Sequence, residues 1–157
     1  MAYKNTVVPV ERSQAEIRKL LTEHGAQEFA FGEATDELGQ VVHGVTFTHR
    51  GLRVRLHVAL KIDPREIDRK LQRARSKSRA EFTAEATEAE ARRVWRVLAH
   101  NLKARMVAVE EGLETFEEAF LSHVVNPNTG RTVYEDLSET GSIDLGEPLL
   151  ALPRGDV

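Results

Sequence analysis

Residues 65–111 contain neither glycine nor proline, and this run accounts for nearly a third of the chain. A segment of that length without a breaker favours helix. Asp63 and Pro64 predict where the helix begins, because aspartate caps a helix and proline suits its first position. From Ala91 to Leu113 the apolar residues recur at steps of three and four, the pattern of an amphipathic helix. Gly112 predicts its end.

The same run is either one long helix or two. A break is possible near residues 76–78, where serine and lysine alternate. A second helix could instead start at Thr87, which forms a capping-box pattern with Glu90. Both alternatives stay open at the level of the sequence.

Three β-strands are predicted before this run: residues 27–33, 41–48 and 52–60. The third alternates most regularly, with leucine and valine at every second position and Arg53, Arg55 and His57 between them. Side chains alternate across a strand, so the sheet should have one apolar face and one basic face. Gly51 predicts a tight turn between the second and third strands, because glycine readily adopts a positive φ.

A short N-terminal helix is predicted over residues 14–24. Ser13 and Glu16 form a capping-box pattern at its start, and Gly25 stands where a helix commonly ends. Pro9 predicts that the chain before this helix is extended.

A last short helix should begin after Thr115, which has Glu118 as its capping-box partner. Residues 132–137 fit either a short strand or a helix. The sequence thus predicts one α+β domain over residues 1–137, with a three-stranded antiparallel meander against helices. Residues 138–157 are predicted to be an acidic, flexible tail.

The basic residues are distributed very unevenly. Of the 22 lysine and arginine residues, eleven lie between residues 50 and 79, where only three acidic residues occur, a local net charge of +8. The rest of the chain has 11 basic and 22 acidic residues, a net charge of −11. A surface of this kind attracts polyanions.

Eight residues of the basic region are the candidate nucleic-acid contacts: Arg50, Arg53, Arg55, Arg65, Arg69, Lys70, Arg73 and Lys77. On the predicted helix Arg65, Arg69, Arg73 and Lys77 recur at every fourth position. Such a row rises about 6 Å per step and can follow a phosphodiester backbone. The alternative is an ordinary solvated helix face, but acidic residues are scarce after Asp68.

No pattern for catalysis is present: there is no Ser–His–Asp spacing, no phosphate-binding glycine loop and no dinucleotide fingerprint. We therefore expect no enzyme activity, no catalytic residue and no cofactor. Cysteine is absent and no histidines lie at metal-binding spacing, so no metal is expected. Neither a membrane span nor a signal peptide is predicted, and a cytoplasmic location is expected.

Residues 92–121, RRVWRVLAHNLKARMVAVEEGLETFEEAFL, and the later NPNTGRTVYEDL resemble a group of small, uncharacterised bacteriophage and prophage proteins, as does the opening VVPVERSQAEIRKLLTEHGAQEFAFGE. This resemblance implies a phage-encoded cytoplasmic protein from replication and recombination genes. The predicted architecture is also similar to the β-β-β-α core of phage single-strand annealing proteins, which form rings or filaments on DNA. That similarity implies a basic groove between sheet and helix, lined by Arg53, Arg55, Arg65, Arg69 and Arg73.

The resulting hypothesis is a non-enzymatic, homo-oligomeric protein that binds and anneals single-stranded DNA in replication or recombination. With only 6% aromatic residues, binding should rest on backbone contacts and be sensitive to salt. Two alternatives remain. One is an interaction module, an inhibitor or assembly adaptor, that uses the basic face on an acidic protein. The other is a structural homo-oligomer in which the basic and acidic ends meet.

Overall fold

A computed structural model describes residues 2–35, 39–74 and 76–139. Its helices and strands confirm the predicted α+β class and the predicted order of elements. The elements are α1 (Val10–Glu23), β1 (Gln27–Thr35), β2 (Val41–His49), β3 (Leu52–Ala59), α2 (Pro64–Arg73), α3 (Arg79–Glu110), α4 (Phe116–Phe120) and α5 (Val133–Glu139).

The three strands form an antiparallel sheet in the order β1-β2-β3, as predicted. The β2–β3 turn consists of Arg50 and Gly51, with φ values of 51° and 79°. Two successive positive φ values define the hairpin turn whose twist matches that of the flanking strands. Gly51 adopts this conformation readily, whereas Arg50 does so at some cost. The turn pairs His49 with Leu52 and so determines the register of both strands.

One face of the sheet, called the inner face below, packs on α1 and α3 around a hydrophobic core. The predicted alternation is confirmed, since Val45, Phe47, Val54 and Leu56 are buried on this face. Trp95 of α3 is buried against them. Its indole N–H donates to Nδ1 of His43 at 3.1 Å, which satisfies the one polar atom of the ring.

The predicted start of the first helix is wrong. Helix α1 begins at Val10 after Pro9, not after Ser13, which is buried within the helix and accepts no capping hydrogen bond. The physical reason is that the first amides of a helix have no intrahelical acceptor, so proline is tolerated there. Glu16 forms an ion pair with Arg96 of α3 at 2.6 Å instead of a capping contact.

The long helical run is two helices. Helix α2 ends at Arg73, and Ala74 has an extended backbone. Helix α3 begins after Ser78, which forms a capping box with Glu81. The alternative start at Thr87 is wrong, because Thr87 lies inside α3. Its hydroxyl group donates to the carbonyl oxygen of Thr83, one turn earlier, at 2.8 Å.

The end of α3 and the start of α4 follow the sequence prediction. Gly112 has a φ of 73°, and Thr115 and Glu118 form the predicted capping box. A single turn of 3-10 helix, Leu121–His123, follows α4.

The segment after α4 lies along the free edge of β3. Val124 bridges to Val54, and Val125 bridges to Thr132. Residues 132–137, which fit a strand or a helix, belong mainly to helix α5. The first two residues of the predicted tail are also in α5, and residues 140–157 lie outside the described residues.

Candidate nucleic-acid interface

The eight candidate residues lie in two separate places. The hairpin group consists of Arg50, Arg53 and Arg55, in β3 and the turn before it. The other five lie in α2 or in its connection to α3: Arg65, Arg69, Lys70, Arg73 and Lys77.

Arg65, Arg69 and Arg73 form an exposed row on α2, called the α2 row below. Helix α2 packs on α3 and buries Ile67, on the side of the helix opposite the row. Four-residue steps rise about 6 Å each, so the three arginines span about 12 Å along the helix. Nε of Arg69 donates to the backbone carbonyl oxygen of Arg65 at 3.4 Å. Because all three arginines are exposed and share one side of α2, the row presents its charges to solvent along one line.

The carboxylates near the α2 row are all engaged elsewhere. Asp63 caps α2 by accepting a hydrogen bond from a backbone amide of its first turn at 2.9 Å. Glu66 pairs with Lys70 at 3.7 Å, so Lys70 is locally neutralised. Asp68 pairs with Arg79 at the start of α3. Among the described residues, no carboxylate forms an ion pair with the α2 row.

Lys77 does not continue the row, contrary to the spacing argument. Because α2 ends at Arg73, the helical period stops four residues before Lys77. The ammonium group of Lys77 lies 2.5 Å from a carboxylate oxygen of Glu85 and 5.7 Å from the centre of the Phe82 ring. This lysine is thus a local contact between the α2–α3 connection and α3.

The hairpin group contains two exposed arginines and one that is bound within the fold. Arg50 and Arg53 are exposed and have no ion pair with any described residue. Arg55 is 34% exposed, and its Nη2 lies 2.7 Å from Oε2 of Glu135 in α5. Its Nη1 donates to the carbonyl oxygen of Gly130 at 3.1 Å. Sequence reasoning treated Arg55 as a phosphate contact and missed this pairing.

Electrostatics support the Arg55 contact. Burial alone would raise the pKa of the Glu135 carboxyl group, but the hydrogen bond from the Thr132 amide and the charge of Arg55 outweigh it. The net effect is a pKa below the ordinary glutamate value. Glu135 is therefore charged near neutral pH, and its contact with Arg55 ties α5 to the sheet.

The hairpin group and the α2 row are separate patches. Arg53 and Arg55 alternate with buried Val54 and Leu56, so they lie on the outer face of the sheet, away from α3. Helix α2 instead packs on α3. The chain continues from the end of β3, at Ala59, into α2, and Arg53 lies about 20 Å from that end along the strand. The structure does not bring the two groups into one groove between sheet and helix.

The outer face is a shallow trough of about 780 Å³ with a floor of small side chains. The floor residues are Ala30, Gly32, Ala34, Val42, Gly44 and Thr46. A Cβ atom on Gly44 would lie 2.6 Å from the carbonyl oxygen of Leu56, so this position requires glycine. No phenylalanine, tyrosine or tryptophan side chain alternates onto this face, but the exposed imidazole ring of His57 does. Arg53, Arg55 and His57 of β3 lie on this face as predicted. The facing positions of β1 and β2 are small and neutral, and the alternation of alanine and glycine in β1 was the available signal.

Two histidines have lowered pKa values but form no metal site. Burial and the nearby charge of Arg50 lower the pKa of His49. Burial and the charge of Arg105 lower the pKa of His123. Within residues 2–35, 39–74 and 76–139, no group of three or more histidine and carboxylate side chains could hold a metal ion.

Comparison with protein-family models, curated proteins and solved structures finds no match to this chain. Of the helices in the described ranges, none is both long and apolar enough to cross a bilayer.

Proposed function

We propose that the chain is a non-enzymatic protein that binds nucleic acid, most concretely single-stranded DNA, through the α2 row. The observation that carries this proposal is a line of three exposed arginines without a carboxylate partner among the described residues. Arginines in such a line neutralise successive phosphates and release the counterions condensed on them.

The pairing of other arginines supports this choice. Those that form ion pairs with carboxylates are Arg12, Arg55, Arg79, Arg92, Arg93, Arg96 and Arg131. Seven arginines of the described residues have no carboxylate partner, and five of them belong to the α2 row or the hairpin group; the other two are Arg18 and Arg105. An uncompensated patch attracts a polyanion more strongly than a surface of paired charges does.

Binding should depend on the phosphate backbone and not on base identity. Helix α2 has no aromatic ring, and the outer face of the described strands offers the imidazole of His57 but no phenylalanine, tyrosine or tryptophan on which a base could stack. A flexible single strand can follow a 12 Å line of charge while its bases remain free to pair. This mode of binding would serve strand annealing in phage replication or recombination. The annealing protein would be a homo-oligomer and would act in the cytoplasm of the host.

The test is fluorescence anisotropy with a labelled mixed-sequence oligonucleotide, single-stranded and duplex, over a salt series. The comparison is between wild type and the variant R65E/R69E/R73E. The matched control, R12E/K19E/K103E, changes the net charge equally at exposed positions outside α2. Each neutralised phosphate contributes about −0.7 to the slope of log affinity against log salt for a single strand. Losing the row should therefore make this slope shallower by about 2.

Two results would contradict the proposal. One is a row variant that binds as tightly as the control variant does. The other is a wild-type protein that does not bind single strands even at low salt. The second result would favour the alternative function, in which the α2 row binds an acidic protein. The observation that favours this alternative is that α2 has no aromatic ring on which a base could stack.

A further inference from the structure

Strand β1 is an open edge of the sheet. It pairs with β2 on one side, and no other described segment pairs with its second side. The strand has nine residues, without proline or lysine, and most of its residues are exposed. An edge of this kind presents unpaired backbone amides and carbonyls, which form a template for another strand.

The regular part of β1 limits how a second strand can pair with it. The register against β2 is irregular between Gln27 and Ala30, where Glu28 has a φ of 51°, and is regular from Ala30 to Thr35. In a two-fold antiparallel pair that continues the sheet, directly opposed residues lie on the same face. The central residue must then be opposite its own copy. Within the segment from Ala30 to Thr35, a centre at Gly32 or at Glu33 pairs five residues. A centre at Glu33 would place the two Glu33 carboxylates opposite each other, so Gly32 is the centre without a like-charge pair.

We propose that two copies of this chain associate through β1, antiparallel and centred on Gly32, to form a continuous six-stranded sheet. On the outer face this register places Ala30 opposite Ala34 of the second copy. Both side chains are small, and a Cβ atom added to Gly32 would meet nothing within 4 Å. On that face, the pairing therefore opposes only small side chains at positions 30, 32 and 34.

Charge complementarity on the inner face argues for a second copy as the partner. The guanidinium group of Arg18 lies 5.3 Å from the centre of the Phe31 ring and 5.2 Å from that of Phe29. Arg18 forms no ion pair with any described residue. Glu33 is 72% exposed, and its one ion-pair contact among the described residues is with His43, at 3.8 Å.

The proposed register brings Arg18 and the exposed Glu33 of the second copy together. Phe31 is opposite Glu33 of the second copy, with Cβ atoms about 5 Å apart. Arg18 covers Phe31, so its guanidinium group is within reach of that carboxylate. Two-fold symmetry repeats the contact, so each dimer gains two Arg18–Glu33 ion pairs across the interface.

The first test uses the absence of cysteine from the chain. In the variant G32C, the two thiols meet at the two-fold axis. Directly opposed Cα atoms are about 4.5–5.5 Å apart, within the range of a disulfide. In the matched control A34C, the two cysteines are about 13 Å apart, four residues along the pair. Mild oxidation should cross-link G32C into a dimer and leave A34C monomeric, and equal cross-linking of both variants would overturn the register.

The second test is a charge exchange measured by sedimentation velocity over a concentration series, without nucleic acid. R18E and E33K should each weaken dimerisation about tenfold or more, because each creates two like-charge contacts. The double variant R18E/E33K should recover the wild-type dimer, while K19E should dimerise as wild type does. A wild-type chain that remains monomeric, or a double variant that fails to recover, would overturn the proposal. Neither result bears on whether the α2 row binds nucleic acid.

Discussion

The ion pair between Glu90 and Arg93 is the most deeply buried charged contact of the described residues, and its loss should be costly. Both side chains are 10% exposed. Arg93 donates from Nε and Nη2 to the two carboxylate oxygens of Glu90, each at 2.7 Å. The backbone amide of Lys61 donates to the same carboxylate at 3.1 Å. Glu90 thus ties the connection between β3 and α2 to the middle of α3.

The variant E90Q keeps the shape of the side chain but removes its charge. Arg93 would then be a buried cation without a counter-charge, which costs about 3–5 kcal/mol of unfolding free energy. The amide oxygen can still accept one hydrogen bond, so we expect about 3 kcal/mol. For a chain of this size each kcal/mol lowers Tm by about 2–4 °C, which gives a decrease of about 6–12 °C.

The pH dependence has a definite sign. Burial alone would raise the pKa of Glu90, but the hydrogen bonds from Arg93 and from the Lys61 amide lower it below the ordinary value. A carboxylate with a lowered pKa in the folded state stabilises the fold above its unfolded pKa, about 4.3. This contribution is lost as the pH falls through the folded-state pKa. The difference between wild type and E90Q should therefore be full at pH 7 and smaller in acid.

Urea unfolding followed by circular dichroism at several pH values measures both quantities. The control is E88Q on the same helix, because Glu88 is 73% exposed and pairs with Arg92. An exposed pair contributes little, so E88Q should cost less than about 1 kcal/mol. If E90Q costs no more than E88Q, or if its cost does not change between neutral and acid pH, the assigned role of the buried pair is wrong.

Two further predictions concern the sheet and α2. G44A should lower the unfolding free energy by about 1–3 kcal/mol, because its Cβ would collide with the carbonyl oxygen of Leu56. The control is G32A: Gly32 is paired with Gly44 across the strands, but a Cβ atom there meets nothing, so the unfolding free energy should be unchanged or slightly raised. Thermal unfolding at low protein concentration compares the two variants. D63A should cost about 1 kcal/mol through loss of the α2 cap, measurable by chemical unfolding, and no change would mean that Pro64 alone determines the start of the helix.

The elements that the sequence predicts well are those decided by neighbouring residues. Strict alternation in β3 gave the inner face, and Gly51 gave the turn that places β2 beside β3. The capping box at Thr115 was visible because its two side chains are only three residues apart. Each of these patterns involves only residues that are near one another in the sequence, so a single sequence contains enough information to predict the element.

The contacts that sequence reasoning missed join distant residues. Arg55 and Glu135 are 80 positions apart, and no local pattern connects them. Ser13 has a good local capping pattern, yet α1 already begins at Val10, and Ser13 is buried inside a helix that packs on α3. The charge count placed the basic residues in one region of the chain, but only the fold separates the hairpin group from the α2 row.

The single tryptophan of the chain has a practical consequence. Trp95 is 1% exposed, its indole N–H donates to His43, and its ring meets Phe31 of β1 edge-on with centres 5.6 Å apart. Its emission spectrum therefore comes from one known site, and unfolding should shift this emission to longer wavelength as water reaches the indole. Because Phe31 also lies at the edge proposed to pair with a second copy, the same native chromophore observes the core and that edge without any added label.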